Sequence, residues 1–304
     1  MPGKVFISCG QKSEGERKIA EEIKDLLNQE FSLNPYLAFK IQSLDDIMTI
    51  TNELRTSDYF IFIDFKRNPD KSQAMPISLF SHQELALAHH LGFKDMIALQ
   101  QTGVPLEGFL RYVLSNPEHF NNKKDLPEMI RRIVKERGWS PFYSRNLVVN
   151  KYGFSDPIKY RDHSGIFIER VYKVKVENRR PDTSAVESVC ILDHIKKSDG
   201  TKIKLTDRSY LKWAGQAGYK RTILPQDFAL IDVFAIHADK PGIFLHSLSD
   251  TCRDPILIDD GDYELFYKLF SQGYPLVEFS IKLNLQWCPP SETEWTNKSH
   301  ATLV

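Results

Sequence analysis

The sequence predicts an α/β domain built on a parallel sheet, followed by a mainly antiparallel β-sandwich domain. Three observations predict it. Over the first 137 residues, short apolar runs alternate with stretches whose apolar residues recur at helical spacing, the pattern of a parallel sheet covered by helices on both faces. From residue 166 the helical period gives way to strand-like alternation punctuated by turn formers, as in a sandwich. The length, 304 residues, suits two domains.

The elements follow in order. "KVFIS" (4–8) is a short apolar run closed by the turn-rich "CGQKSEGE", hence a buried strand. "GERKIAEEIKDLLNQEF" places Ile19, Ile23, Leu26 and Leu27 on one helical face. "YLAFKI" (36–41) is a second strand, and "SLDDIMTITNELRTS" a helix with Leu44, Ile47, Ile50 and Leu54 on one face. "DYFIFIDF" (58–65) is a strand rich in aromatic residues and isoleucine. "KRNPDKSQAMPI" (66–77) is a loop, and "ISLFSHQELALAHHLGF" (77–93) a helix. "DMIALQ" (95–100) is the fourth strand and "LPEMIRRIVKERGW" (126–139) the closing helix. Domain bounds are set at 1–140, with a linker over 141–165, a β-sandwich accessory or sensor domain over 166–290 and a tail over 291–304. Within the second domain, strands are expected at 166–178, 184–197, 228–238, 242–248 and across 255–287, with Val186, Val189 and Ile191 facing the core; partial helix over 182–194 is the alternative for the second of these. Most of Phe266, Tyr267, Phe270, Tyr274 and Phe279 are expected in that core.

Composition narrows the function classes. Lys plus Arg and Asp plus Glu are 40 each, and residues 1–150 carry 19 of each sign. A nucleic-acid binder usually shows a basic excess, so no nucleic-acid partner is expected. No apolar run reaches 18 residues, so no membrane partner is expected. The N-terminus "MPGKVFISCGQK" lacks signal-peptide features. Cys9, Cys190, Cys252 and Cys288 are scattered, with no CxxC, which argues against a zinc ribbon or a disulfide framework. A cytoplasmic location is the simplest expectation. His82, His89 and His90 fit no common metal-ligand spacing, so no metal is expected. "CGQKSEG" lacks both the dinucleotide and the P-loop glycine patterns.

Glu84 is the residue that asks for an explanation. Leu87, Ala88 and Leu91 follow it at helical spacing, so a carboxylate heads an apolar stripe. Ser81-x-x-Glu84 fits a capping box, in which the Glu has a purely structural task. In parallel sheets, however, ligands bind at the carboxyl ends of the strands, where strand order reverses. The first strand ends at Ser8, Cys9 and Gly10, the third near Asp64, and the loop after it leads to Phe80, Ser81 and Glu84. Both readings stand at this point.

The first 137 residues resemble the Toll/interleukin-1 receptor (TIR) domain superfamily, particularly its prokaryotic branch. The resemblance covers residues 4–137 and rests on four pieces in the expected order: "KVFISCGQ", "ITNELRTSDYFIFI", "FSHQELALA" and "DMIALQ". Two departures are evident. Phe80 stands where family members often carry Trp, and the connection "KIQSLDD" is short. The resemblance implies a flavodoxin-like parallel sheet and cleavage of NAD, as substrate rather than cofactor, to nicotinamide plus ADP-ribose or a cyclised product. It implies Glu84 as the catalytic residue, with Ser8, Cys9, Gly10, Phe39, Phe80 and Ser81 around the substrate. It also implies self-association through this domain and a role in antiviral defence, with the β-sandwich answering an unknown trigger. A nucleoside 2-deoxyribosyltransferase-like nucleotide hydrolase and a non-catalytic TIR adaptor are the alternatives.

Overall fold

Among the described residues, five short strands carry the first part of the chain. They are β1 (Lys4–Cys9), β2 (Asn34–Leu37), β3 (Tyr59–Asp64), β4 (Met96–Gln101) and β5 (Glu118–Phe120). They pair in the order β2-β1-β3-β4-β5, every neighbour parallel. The computed structural model describes residues 2–38, 44–66, 79–104, 117–162, 165–205, 210–216, 218–238, 240–245, 255–287 and 299–304. The chain divides into two units, Met1–Arg145 and Asn146–Val304.

Strand alternation sorts the first unit into two layers. Val5, Ile7, Ile61, Ile63, Ile97 and Leu99 pack with α1 (Glu14–Phe31) and with α4 (Leu126–Arg137), through Ile19, Ile23, Leu27, Ile130 and Ile133. Phe6, Phe60 and Phe62 point the other way, against α2 (Leu44–Thr56) and α3 (Leu79–His90), through Ile50, Leu54, Leu85 and Ala88. The α1 stripe is buried as its spacing predicts. In α2 the expected stripe is narrower, because Ile47 is 44% exposed. Strand β5 has no counterpart in the sequence reading, since three residues are too few to show a period.

Local chemistry fixes the helix ends. Ser13 caps α1 and Glu16 reaches back to the backbone of Ser13, a complete capping box. Gly138 ends α4 at φ 63°, in the left-handed region where a side chain is disfavoured. A buried latch closes the unit. Asp58 accepts from the amides of Lys4 (2.9 Å) and Arg145 (2.8 Å) and from the Ser144 hydroxyl (2.8 Å). The Arg145 guanidinium donates to the carbonyls of Ser57, Arg55 and Leu91 and lies 4.1 Å from the Phe93 ring centre.

The second unit consists of antiparallel sheets. One holds β6 (Val148–Phe154), β7 (Ile158–Asp162), β8 (Gly165–Glu177), β12 (Phe228–His237) and β13 (Ile243–Phe244). The other holds β9 (Ala185–Lys197), β10 (Lys202–Lys204), β11 (Arg221–Ile223), β14 (Gly261–Gln272), β15 (Val277–Leu285) and β16 (His300–Leu303). Val174, Val176 and Ile231 of the first share one hydrophobic core with Cys190, Leu192, Leu265, Tyr267 and Ile281 of the second.

Some expectations shift here. Residues 141–165, expected as a linker, contribute β6 and β7. In the expected tail, His300–Leu303 pairs with β15, and 291–298 lies outside the described residues. The core face of β9 is Ser188, Cys190, Leu192 and Ile195, while Val186 is 39% exposed and Val189 and Ile191, also expected inward, alternate with that face and are half-buried. For Val186 the reason is irregular register. The β9–β14 pairing shifts near Glu187, which has φ 50°, and again at Asp193, and each bulge resets which residues face inward. Of the five aromatic residues expected in the core, Tyr267 and Phe279 are buried and Phe270 is exposed. Among the described residues no helix is long and apolar enough to cross a membrane.

Candidate functional site

Strand β1 lies between β2 and β3, so the chain leaves its two sides in opposite directions. The carboxyl ends of β1 and β3 therefore flank the switch point, where such sheets bind ligands. The α2/α3 layer is apolar along most of the sheet and turns polar at this end. Ser8, Asp64 and Gln100 follow Phe6, Phe62 and Ala98 on that face, two residues further along each strand.

Glu84 comes to this end from α3 and accepts a short hydrogen bond from the Ser8 hydroxyl. Ser8 is fully buried, while part of Glu84 remains open to solvent. Burial raises the Glu84 carboxyl from 4.5 to about 7, against the Ser8 hydrogen bond, which lowers it. The phenol of Tyr36, whose ring is 5.5 Å from Phe6, is also pushed up. Burial is the main cause, followed by the carboxylates of Glu53, Glu84 and Asp46. The helix extends to Leu79, so Ser81 lies within its first turn and is not the cap, and the Glu84 carboxylate is spent on a strand 76 positions away rather than on its own helix end.

The other expected site residues divide. Cys9 is buried, but on the opposite face, among the α1/α4 residues. Alternation along β1 thus separates Cys9 from Ser8 and Glu84. Gly10 follows directly at the strand end. Ser81 is buried in α3. Phe80 lies in α3 with its side chain outside the description, and Phe39 and the loop 67–77 lie outside the described residues, as do Cys252 and Cys288. His82 faces Asp64, its Nε2 3.1 Å from Asp64 Oδ2, and its ring centre is 5.7 Å from that of Phe62. Among the described residues no cluster of His, Cys, Asp and Glu is arranged to hold a metal.

Two residues that the sequence reading left without a role stand out. Asp64 and Gln100 are register partners on β3 and β4 and each is 1% exposed. Asp64 Oδ1 and both polar atoms of the Gln100 side chain have no hydrogen-bond partner. The available signal was a polar residue ending an apolar run, in "YFIFID" and "MIALQQ".

No family model matches the chain, and no curated protein matches it. Among solved structures, one match is the X-ray structure of a Northeast Structural Genomics Consortium target, SoR45. It shares 13% identity over 44% of this chain and 79% of that chain, with a TM-score of 0.22. A likeness at that level carries no argument about fold or function.

Proposed function

We propose that the chain is an NAD-cleaving enzyme of TIR type, a glycohydrolase or ADP-ribosyl cyclase, with Glu84 as its catalytic carboxylate. The observation that supports it best is the contact of Glu84 with Ser8 at the switch point of a parallel sheet, where burial perturbs the carboxyl. The strand order is that of flavodoxin-like sheets, which agrees with this reading. Breaking the bond between ribose and nicotinamide leaves positive charge on the sugar, and the nicotinamide departs with the bonding pair as a neutral molecule. A single carboxylate held against that sugar stabilises the charge, and water or an internal nucleophile then takes the vacated carbon. No general acid is needed, so a second carboxylate in contact with Glu84, of which there is none among the described residues, is not required. On this reading the second unit is a β-sandwich that senses a trigger or promotes assembly, and self-association completes the site.

The test is to incubate the purified full chain with NAD and follow free nicotinamide, with nucleoside monophosphates in parallel. NAD cleavage whose specific activity rises with protein concentration is expected. Cleavage of the monophosphates alone would favour the deoxyribosyltransferase-like reading. Silence toward both, also after artificial clustering, would favour the adaptor.

A further inference from the structure

Buried polar atoms without partners are costly, about 1–3 kcal/mol each, and native proteins hold few of them. Asp64 and Gln100 together leave three such atoms side by side on one face of the sheet. They offer two acceptors, Asp64 Oδ1 and Gln100 Oε1, and one donor group, Gln100 Nε2. The other Asp64 oxygen is already held by His82. Neighbouring strands are about 4.8 Å apart and residues i and i+2 about 6.6 Å apart, so the Cα positions of Ser8 and Asp64 are separated by about 8 Å. Gln100, one strand further, lies about 12 Å from Ser8 by the same spacings, so the Glu84 contact and the unpartnered pair line one end of a single sheet face.

We infer that Asp64 and Gln100 form the recognition edge for a planar carboxamide, with the amide N–H of the ligand donating to Asp64 Oδ1 and its carbonyl accepting from Gln100 Nε2. The inference rests on the proposed function insofar as it identifies that carboxamide with nicotinamide. A carboxamide satisfies the pair because it presents a donor and an acceptor in one plane, as the pair does in reverse. A carboxylate does not, since it brings a second negative charge against Asp64. His82, which tops Asp64 from the first turn of α3, rotates aside to admit the ring. Edges of this kind reject analogues that lack the hydrogen-bonding group, because the protein atoms are then left buried and unpaired.

The experiment uses the full chain and three dinucleotides: NAD, its acetylpyridine analogue, which keeps the carbonyl but lacks the N–H, and deamido-NAD, which carries a carboxylate. Wild type is expected to cleave NAD at least tenfold better than the acetylpyridine form and at least a hundredfold better than the deamido form. Gln100→Leu should slow NAD and the acetylpyridine form alike, at least tenfold, because both present the carbonyl that Gln100 Nε2 meets, and should leave the preference between them, which Asp64 sets, within threefold of wild type. It should also raise the melting temperature of the ligand-free protein, since it removes two unsatisfied atoms, whereas a structural role for Gln100 would lower it. Asp64→Asn, which offers a donor in place of the charge, should improve the deamido form relative to NAD. Calorimetric titration with free nicotinamide and with nicotinic acid is read in parallel. Nicotinamide binding that Gln100→Leu abolishes upholds the edge even if NAD is not cleaved, and then the enzymatic reading alone falls. NAD cleavage with equal rates for all three dinucleotides overturns the edge and leaves the enzymatic reading standing. Neither discrimination nor nicotinamide binding overturns the edge outright.

Discussion

The two faces of the parallel sheet differ in kind. The face under α1 and α4 is apolar from Val5 and Ile61 through to Cys9, Ile63 and Leu99. The face under α2 and α3 begins the same way, with Phe6, Phe60 and Phe62, and ends in Ser8, Asp64 and Gln100, with Glu84 and His82 above them. The same strands supply both faces, so the difference is one of side-chain choice at alternate positions. Uniform apolar burial stabilises the fold. Polar groups buried at one end reduce stability, and on the proposed function a site that must hold and shift charge accounts for their being tolerated.

Four substitutions break or sharpen that contrast. The largest effect is expected for Glu84→Gln on the polar face. It should reduce NAD cleavage at least a thousandfold, about 4 kcal/mol at the transition state, and leave the circular dichroism spectrum unchanged. The same variant tests the cost of burial. The folded carboxyl at about 7 binds its proton more tightly than the ordinary group at 4.5. The wild type is therefore most stable, in this respect, below 4.5, and it loses stability as pH rises toward 7. That loss is on the order of 3 kcal/mol, and denaturant titrations of Glu84→Gln should not show it. Equal pH dependence for the two proteins would remove the raised carboxyl from the account.

On the apolar face, Ile23→Ala should destabilise by about 2–5 kcal/mol, because Ile23 is fully buried in the α1 layer. Its turnover per folded molecule should match wild type. A selective loss of turnover would mean that the two faces are not separable.

Ser8→Ala removes the hydroxyl that lowers the Glu84 carboxyl. Activity in the wild type should rise with pH through about 7 as Glu84 ionises, and in Ser8→Ala the midpoint should move to higher pH, with a loss of about tenfold at neutral pH. An unshifted profile would reduce Ser8 to packing. The smallest effect is expected for Cys9→Ala, which trims the apolar face one residue away. Turnover within a factor of two of wild type would agree with Cys9 lying under α1 and α4. A loss beyond tenfold would place Cys9 in the site after all.

What the sequence determined by itself is local. The α1 stripe Ile19, Ile23, Leu26 and Leu27 appears at helical spacing because every helix repeats its faces every 3.6 residues, and these residues are buried as read. The apolar runs of β1, β3 and β4 likewise announced a parallel sheet with both faces covered. Capping-box spacing alone did not decide: "SEGE", read only as part of a turn, forms a complete box at Ser13–Glu16, whereas the same spacing at Ser81–Glu84 yields no cap because the helix starts earlier. Strand register was not legible in β9, where the irregularity beside Glu187 turned Val186 outward. Only the tertiary structure brought Ser8 to Glu84, 76 positions apart, put Cys9 on the far side of the sheet, and set Asp64 beside Gln100. These are facts of pairing between distant segments. They depend on which strand lies next to which and in what register, and the period of any one segment is the same whichever neighbour it meets.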